Sequence, residues 1–130
     1  MKIAMGADSA GFMMKQTICK HLQERGFSVI DCGTDSDASC HYPVFANRVA
    51  QKVSAGEAAF GILICGTGIG MSIAANKVPG IRASVVSEHY SARYTRMHND
   101  ANVLCLGARV IGPELAKMIL EIFLSTEFEG

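Results

Sequence analysis

The chain has 130 residues, about the length of one domain, and its 12 basic side chains balance its 12 acidic ones. Neither sign of charge forms a long block and no apolar run reaches the ~18–20 residues that cross a bilayer, so nucleic-acid-binding, membrane-surface and transmembrane classes are excluded in favour of a small-molecule ligand. Five cysteines without CxxC spacing (Cys19, Cys32, Cys40, Cys65 and Cys105), and an N-terminus unlike a signal peptide, predict a reduced, cytoplasmic protein.

Short apolar runs alternate with helical patterns along the whole chain. We predict strands at 2–6, 27–31, 60–65, 82–86 and 102–106, and helices at 11–25, 44–55, 68–76, 87–97 and 113–124. Gly26 and Gly56 are typical helix C-caps, and Pro113 suits a first helical turn. Five βα units predict a Rossmann-like α/β fold, a doubly wound five-stranded parallel sheet in one domain spanning residues 1–130.

Polar residues follow several of the predicted strands. Asp8 and Ser9 follow the first strand, Cys65 ends the third, and Arg109 follows the fifth. Because ligands of such sheets bind at the carboxyl ends of the strands, we expect Asp8, Cys65 and Arg109 to share one edge. Two alternatives stay open, since Asp8 also suits a helix N-cap and Arg109 suits an ordinary surface position.

The third strand runs into a glycine-rich turn, Gly66-Thr67-Gly68-Ile69-Gly70. Unpaired N–H groups at the start of the next helix can hold an anion or an oxyanion, and the positive helix end favours the thiolate form of Cys65. This pattern indicates nucleophilic or base chemistry on a small anionic substrate, although a buried structural thiol is the alternative. A dinucleotide site is disfavoured because Met71 replaces the third fingerprint glycine, and no Gly-Lys-Ser/Thr follows for a P-loop.

A second polar cluster, His-Asn-Asp-Ala-Asn at 98–102, lies between the fourth helix and the fifth strand. His98 at this place is either a helix C-cap that compensates the helix dipole or a catalytic residue. Its position lies away from Cys65 of the same chain. A functional His98 therefore belongs to the site of a neighbouring subunit.

Ordered motifs connect these clusters: Asp8, His-Tyr-Pro at 41–43, Ile-Cys-Gly-Thr-Gly-Ile-Gly at 64–70, Ala-Asn-Lys at 75–77, Gly-Ile-Arg at 80–82, His-Asn-Asp-Ala-Asn-Val at 98–103 and Gly-Ala-Arg at 107–109. Through them the chain resembles the ribose-5-phosphate isomerase B and galactose-6-phosphate isomerase family from end to end. The resemblance implies an aldose–ketose isomerase of phosphorylated sugars that works through a cis-enediol, without metal or cofactor.

The resemblance also implies roles for individual residues. Cys65 matches the base that moves a proton between C1 and C2, His98 the acid that opens the sugar ring, and Asp8 its assistant or a contact to the ring oxygen. Thr67 matches a supporting hydrogen-bonding residue. The implied substrate contacts are Ser9, Tyr42, Gly66, Gly68, Ile69, Gly70, Asn99 and Arg109. In the family His98, Asn99 and Arg109 reach the partner's cysteine, which implies a homodimer or tetramer with shared active sites.

The chain departs from the family pattern at two places. Ribose-specific members usually carry histidine after the first aspartate, whereas this chain has Ser9, so the sugar phosphate stays open between ribose 5-phosphate and related sugars. Members also usually continue beyond the position of Gly130 with phosphate-binding arginines. These departures leave a non-catalytic subunit or a sugar-phosphate sensor as the alternative function, which a turnover assay separates from an isomerase.

Overall fold

A computed structural model describes residues 1–34 and 42–130, so that Cys40 and His41 lie outside the described residues. The chain alternates strands and helices in the order predicted. Its elements are β1 Lys2–Ala7, α1 Phe12–Glu24, β2 Ser28–Asp31, α2 Tyr42–Ser54, β3 Phe60–Cys65, α3 Ile69–Ala75, β4 Ala83–Val85, α4 His89–Met97, β5 Val103–Gly107 and α5 Pro113–Ser125.

The strands form one parallel sheet in the order β2-β1-β3-β5-β4. This arrangement confirms the predicted α/β class and the Rossmann-like parallel sheet. The chain turns back twice across the sheet, after β2 and after β4, and α1, α4 and α5 pack on one face while α2 and α3 cover the other. Because β1 and β3 are neighbours whose following connections leave in opposite directions, their carboxyl ends border a crevice where such folds bind ligands.

Alternating strand side chains feed two cores, one on each face of the sheet. Ile62 and Ile64 point toward α1 and α5, whereas Leu63, Cys65 and Cys105 point toward α2 and α3. Cys65 thus ends a buried strand on the α2/α3 face. No helix in the described ranges combines the length and apolarity required to cross a membrane.

Helix α1 buries one residue that its apolar pattern does not predict. The apolar Ile18 and Leu22 are buried, and Lys15 is also only 1% exposed. Its Nζ donates to both carboxylate oxygens of Asp31 at 2.8 and 2.7 Å. This pairing compensates the cost of removing the ammonium group from water, and it ties α1 to the end of β2.

Most element boundaries differ from the predicted ones by a residue or two, for local reasons. Helix α2 begins at Tyr42 rather than at residue 44, because Pro43 is tolerated in a first turn. Strand β4 is shorter than predicted because the N–H of Arg82 donates to Oδ1 of Asn102 at 2.8 Å instead of to a neighbouring strand. Neither shift moves a candidate site residue to another edge.

Candidate active site

Three strand ends meet at the carboxyl edge of the sheet. The N–H of Asp8 donates to the carbonyl of Ile64 at 3.2 Å, and the N–H of Arg109 donates to the carbonyl of Gly66 at 3.0 Å. These bonds connect the segments that follow β1, β3 and β5. The structure therefore brings Asp8, Cys65 and Arg109 together at one edge, as the strand order predicts.

The Cys65 thiol lies at the base of the glycine turn. It is 6% exposed, and its Sγ accepts a hydrogen bond from the N–H of Gly68 at 3.1 Å. Gly68 has a φ of +83°, and a Cβ there would lie 3.1 Å from the carbonyl carbon of Leu106. Glycine is required at this position, because only a residue without a side chain delivers its N–H to the sulfur in this conformation.

The turn that follows the thiol carries further backbone donors. The N–H groups of Gly66, Thr67 and Gly70 have no acceptor among the described residues, whereas the N–H of Ile69 donates to Oγ1 of Thr67 at 3.2 Å. The Thr67 hydroxyl thus holds the turn in shape. The unpaired N–H groups are suited to a bound oxygen that carries negative charge.

Asp8 does not cap helix α1 directly, since the N-cap is Gly11. Its Oδ1 accepts from the N–H of Gly11 at 3.0 Å, and a Cβ on Gly11 would lie 2.3 Å from the carbonyl oxygen of Ile64. The glycine therefore lets α1 begin directly against β3. Ser9 follows in a half-buried position beside the same crevice.

Tyr42 and Arg109 pack against the glycine turn from two sides. A Cβ on Gly70 would lie 3.0 Å from the Tyr42 ring, and a Cβ on Gly66 would lie 3.5 Å from Nη1 of Arg109. Ile69, on the same turn, is exposed. The resemblance implies that Arg109 reaches a partner subunit, but in this chain it lies against the turn of its own Cys65.

His98 and Asn99 are not part of this edge. His98 is the exposed C-cap of α4, and its ring packs on Tyr94 with the centroids 4.7 Å apart. The two residues precede β5, whereas Cys65 lies opposite Gly107 at the end of β5. The length of that strand, about 13 Å at 3.3 Å per residue, separates them from the Cys65 of their own chain.

Sequence reasoning missed the residues that hold the His98 turn. Arg96 is buried, and its Nη1 donates to Oδ1 of Asp100 at 2.9 Å. Arg82 approaches the other oxygen of the same carboxylate at 3.3 Å. The i,i+4 spacing of Arg96 and Asp100 would have indicated their ion pair from the sequence.

The other described cysteines are poor candidates for a base. Burial raises the pKa of Cys105 far above its ordinary value, and the negative charge of a Cys65 thiolate raises it further. Burial also raises the pKa values of Cys19 and Cys32. Among the described cysteines, Cys65 alone has a backbone N–H directed at its sulfur.

Comparison with known proteins identifies close relatives. Residues 3–130 match the family model described as Ribose/Galactose Isomerase. The chain is 57% identical to ribose-5-phosphate isomerase B of Escherichia coli, over 99% of this chain and 87% of that protein. It is 50% identical to D-erythrulose-4-phosphate isomerase of Pectobacterium atrosepticum, over 100% of this chain and 86% of that protein.

A solved structure extends the similarity to the fold. Ribose-5-phosphate isomerase B of Clostridium thermocellum superposes with a TM-score of 0.99 at 52% identity, covering 100% of this chain and 88% of that one.

Proposed function

The chain belongs to the ribose/galactose isomerase family, and from this membership we infer that it is a sugar-phosphate isomerase. We propose that it interconverts an aldose phosphate and a ketose phosphate through a cis-enediol, with Cys65 as the base. One observation carries the proposal. The Cys65 sulfur lies in a turn whose N–H groups at Gly66, Thr67 and Gly70 have no acceptor among the described residues.

The proposed chemistry needs two things at one place. A proton next to a carbonyl is weakly acidic, so a base must lie close to it and donors must face the oxygen that gains charge. The Cys65 thiolate supplies the base. The N–H groups of the turn that have no acceptor in the described ranges supply the donors, so that the proton moves from C2 of the aldose to the thiolate and then to C1.

Other residues at this edge bind the rest of the sugar phosphate in our proposal. Arg109 is exposed and cationic beside the turn, which suits a phosphate. Asp8 and Tyr42 border the same crevice and suit sugar hydroxyls, with Asp8 next to the ring oxygen. Ser9, which is half-buried, contacts the substrate between them.

His98 and Asn99 join a site across subunits in this proposal. They lie about one strand length from the Cys65 of their own chain, and both are exposed. A second copy of the chain brings them to Cys65 of its partner. There His98 donates a proton to the ring oxygen, the bond between C1 and that oxygen breaks, and the C1 hydroxyl gives its proton to solvent as the open aldehyde forms. The complete site then requires at least a homodimer.

Two substrates follow from the relatives. Ribose 5-phosphate is the first candidate, because the 57% identical relative is a ribose-5-phosphate isomerase B. A tetrose phosphate is the second, because a 50% identical relative is a D-erythrulose-4-phosphate isomerase and because Ser9 leaves more room than histidine.

Exchange of substrate protons with solvent deuterium tests the base directly. In Cys65→Ala we expect exchange at C1 of ribulose 5-phosphate to fall by about 100-fold to 10,000-fold, because a general base is removed while the turn remains. Cys32→Ala is the matched control, since Cys32 also follows a strand at this edge and should retain exchange. Near-normal exchange by folded Cys65→Ala would refute the base assignment.

Mixing two variants that are each impaired in ribose 5-phosphate turnover tests the shared site. Cys65→Ala and His98→Asn protomers, allowed to exchange subunits, should reach about a quarter of the normal ribose 5-phosphate turnover, because half of the dimers then contain one intact site of two. Proven subunit exchange without recovered activity would rule out a site shared in this way.

A further inference from the structure

We propose that Asp100, held between Arg96 and Arg82, is a positioning residue that fixes His98 in the orientation needed for ring opening. This inference deepens the proposed function and rests on the acid role proposed there for His98. Asp100 itself makes no contact with the substrate. Its carboxylate acts on the turn that carries His98 and Asn99.

The backbone at Asp100 is unusual. With a φ of +50°, Asp100 is the one non-glycine residue of the described ranges in the left-handed region. Its N–H donates to the carbonyl of Arg96 at 3.2 Å, which closes the end of α4. Glycine is the usual residue in this conformation, and aspartate is one of the few others that adopt it. Its presence here indicates that the carboxylate makes interactions that glycine could not.

Arg96 provides the first hold on that carboxylate. Its guanidinium lies over the rings of Phe60 and Phe123, 4.8 and 5.7 Å from their centroids, and its side chain is buried. From there Nη1 donates to Oδ1 of Asp100 at 2.9 Å and to the carbonyl of Ala101 at 2.8 Å. A planar guanidinium packed in this way cannot turn freely, so Asp100 is anchored to the core.

Arg82 provides the second hold, from the segment that precedes β4. Its Nη2 donates to Oδ2 of Asp100 at 3.3 Å, and its Nε donates to the carbonyl of Asp100 at 2.7 Å. The two oxygens of one carboxylate are therefore bound by arginines from different elements. The turn that follows His98 is fixed on both sides, although His98 and Asn99 themselves are exposed.

A fixed turn matters because His98 has few other restraints. Among the described residues, its ring packs at a tilt against Tyr94, and its N–H donates to the carbonyl of Tyr94 at 2.9 Å. A displacement of about 1 Å in a catalytic group can cost about 100-fold in rate. Loss of the Asp100 carboxylate should thus impair the ring opening that His98 performs much more than the enolisation at Cys65.

The chemistry of the substrates isolates that step. Ribose 5-phosphate closes into a ring through its 4-hydroxyl, so its isomerisation needs ring opening. Ribulose 5-phosphate cannot close in the same way, because its 5-hydroxyl carries the phosphate. Deuterium exchange at C1 of ribulose 5-phosphate reports enolisation alone, and its ratio to ribose 5-phosphate turnover reports ring opening.

Asp100→Gly removes the carboxylate and keeps the backbone conformation. We expect ribose 5-phosphate turnover to fall about tenfold or more while ribulose 5-phosphate exchange stays within about threefold, the pattern also expected of His98→Asn. Asp100→Asn should restore most of the turnover, and Arg82→Gln, which breaks only the exposed half of the arrangement, should give the same pattern more weakly. Glu57→Gln, in the Lys52–Glu57 pair with atoms 2.8 Å apart, is the control and should change neither assay.

The ring proton signals of His98 give a readout independent of activity. The nearby Tyr94 ring should shift these signals in the NMR spectrum, and this shift should diminish in Asp100→Gly. Equal loss in both assays, or folded Asp100→Gly with normal turnover while His98→Asn is impaired, would overturn the positioning role alone. If His98→Asn leaves the ratio unchanged, the acid role of His98 fails, and the NMR shift still shows whether Asp100 orients the ring.

Discussion

The two edges of the sheet hold their candidate residues by opposite means. At the carboxyl edge, glycines at 11, 66, 68 and 70 let backbone and neighbouring side chains approach closely. At the amino edge, the turn at 98–102 is held by charged side chains, with Arg96 and Arg82 on Asp100. The turn at Cys65 therefore depends on glycines, which have no side chain, whereas the turn at His98 depends on the long side chains of Arg96 and Arg82.

This difference follows from the kind of group that each turn exposes, which is backbone N–H in one and a histidine side chain in the other. The turn at Cys65 offers backbone N–H groups, and the left-handed glycine at position 68 directs one of them at the sulfur. The turn at His98 exposes a side chain at the end of a helix. Because the last carbonyl groups of a helix lack intrahelical hydrogen bonds, other interactions must hold such a turn. Substitutions should therefore damage the carboxyl edge by adding atoms and the amino edge by removing them.

The largest effect should come from adding one methyl group at the carboxyl edge. Gly11→Ala should lower the free energy of unfolding by about 3 kcal/mol, because the new Cβ would lie 2.3 Å from the carbonyl oxygen of Ile64. Gly112→Ala is the control at the N-cap of α5, where a Cβ would meet nothing within 4 Å, and should lower stability by about 1 kcal/mol or less, the usual cost of alanine at an N-cap. Urea unfolding measures both, and equal losses would contradict the steric explanation.

A smaller effect should show which side chain at the carboxyl edge selects the sugar. Ser9→His should raise kcat/KM for ribose 5-phosphate relative to erythrose 4-phosphate by about tenfold, because an added hydrogen-bonding ring fills the space beside Asp8. Ser87→His, after β4, is the control and should leave the ratio unchanged. A ratio that Ser9→His does not move would show that position 9 has no part in specificity.

The smallest effect concerns the buried strands that join the two edges. Burial keeps the Cys105 thiol neutral in the folded chain, whereas the unfolded chain ionises it above the ordinary pKa of 9.0. The contribution of the neutral Cys105 thiol to the free energy of unfolding is therefore complete below that pH, and it declines as the pH rises above it. At pH 9.5 the loss should be about 1 kcal/mol relative to neutral pH.

Cys105→Ala should remove this part of the pH dependence. Urea unfolding of both proteins between pH 8 and pH 10 measures it, with the slopes compared rather than the absolute stabilities. Parallel slopes would mean that the unfolded state does not ionise Cys105 more readily than the folded state does.

The sequence by itself predicts the elements and the Cys65 turn because their signals are local. Strand β3 at Phe60–Cys65 and the start of α5 at Pro113 agree with the predicted positions, since an apolar run and a proline act within a few residues. The parallel class follows from alternation of strands and helices. The meeting of Asp8, Cys65 and Arg109 follows from that class, because parallel strands end at the same edge.

Only the tertiary structure determines the strand order, the burial of Lys15 and the two arginines on Asp100. These features depend on contacts between residues distant in sequence, such as Arg82 with Asp100 or Lys15 with Asp31. From sequence alone, a charged residue in a helix is expected to be exposed. Its burial is favourable only when an oppositely charged partner offsets the cost of removing the charge from water. The packing of segments distant in sequence therefore determines the strand order and the ion pairs, which the local sequence pattern does not specify.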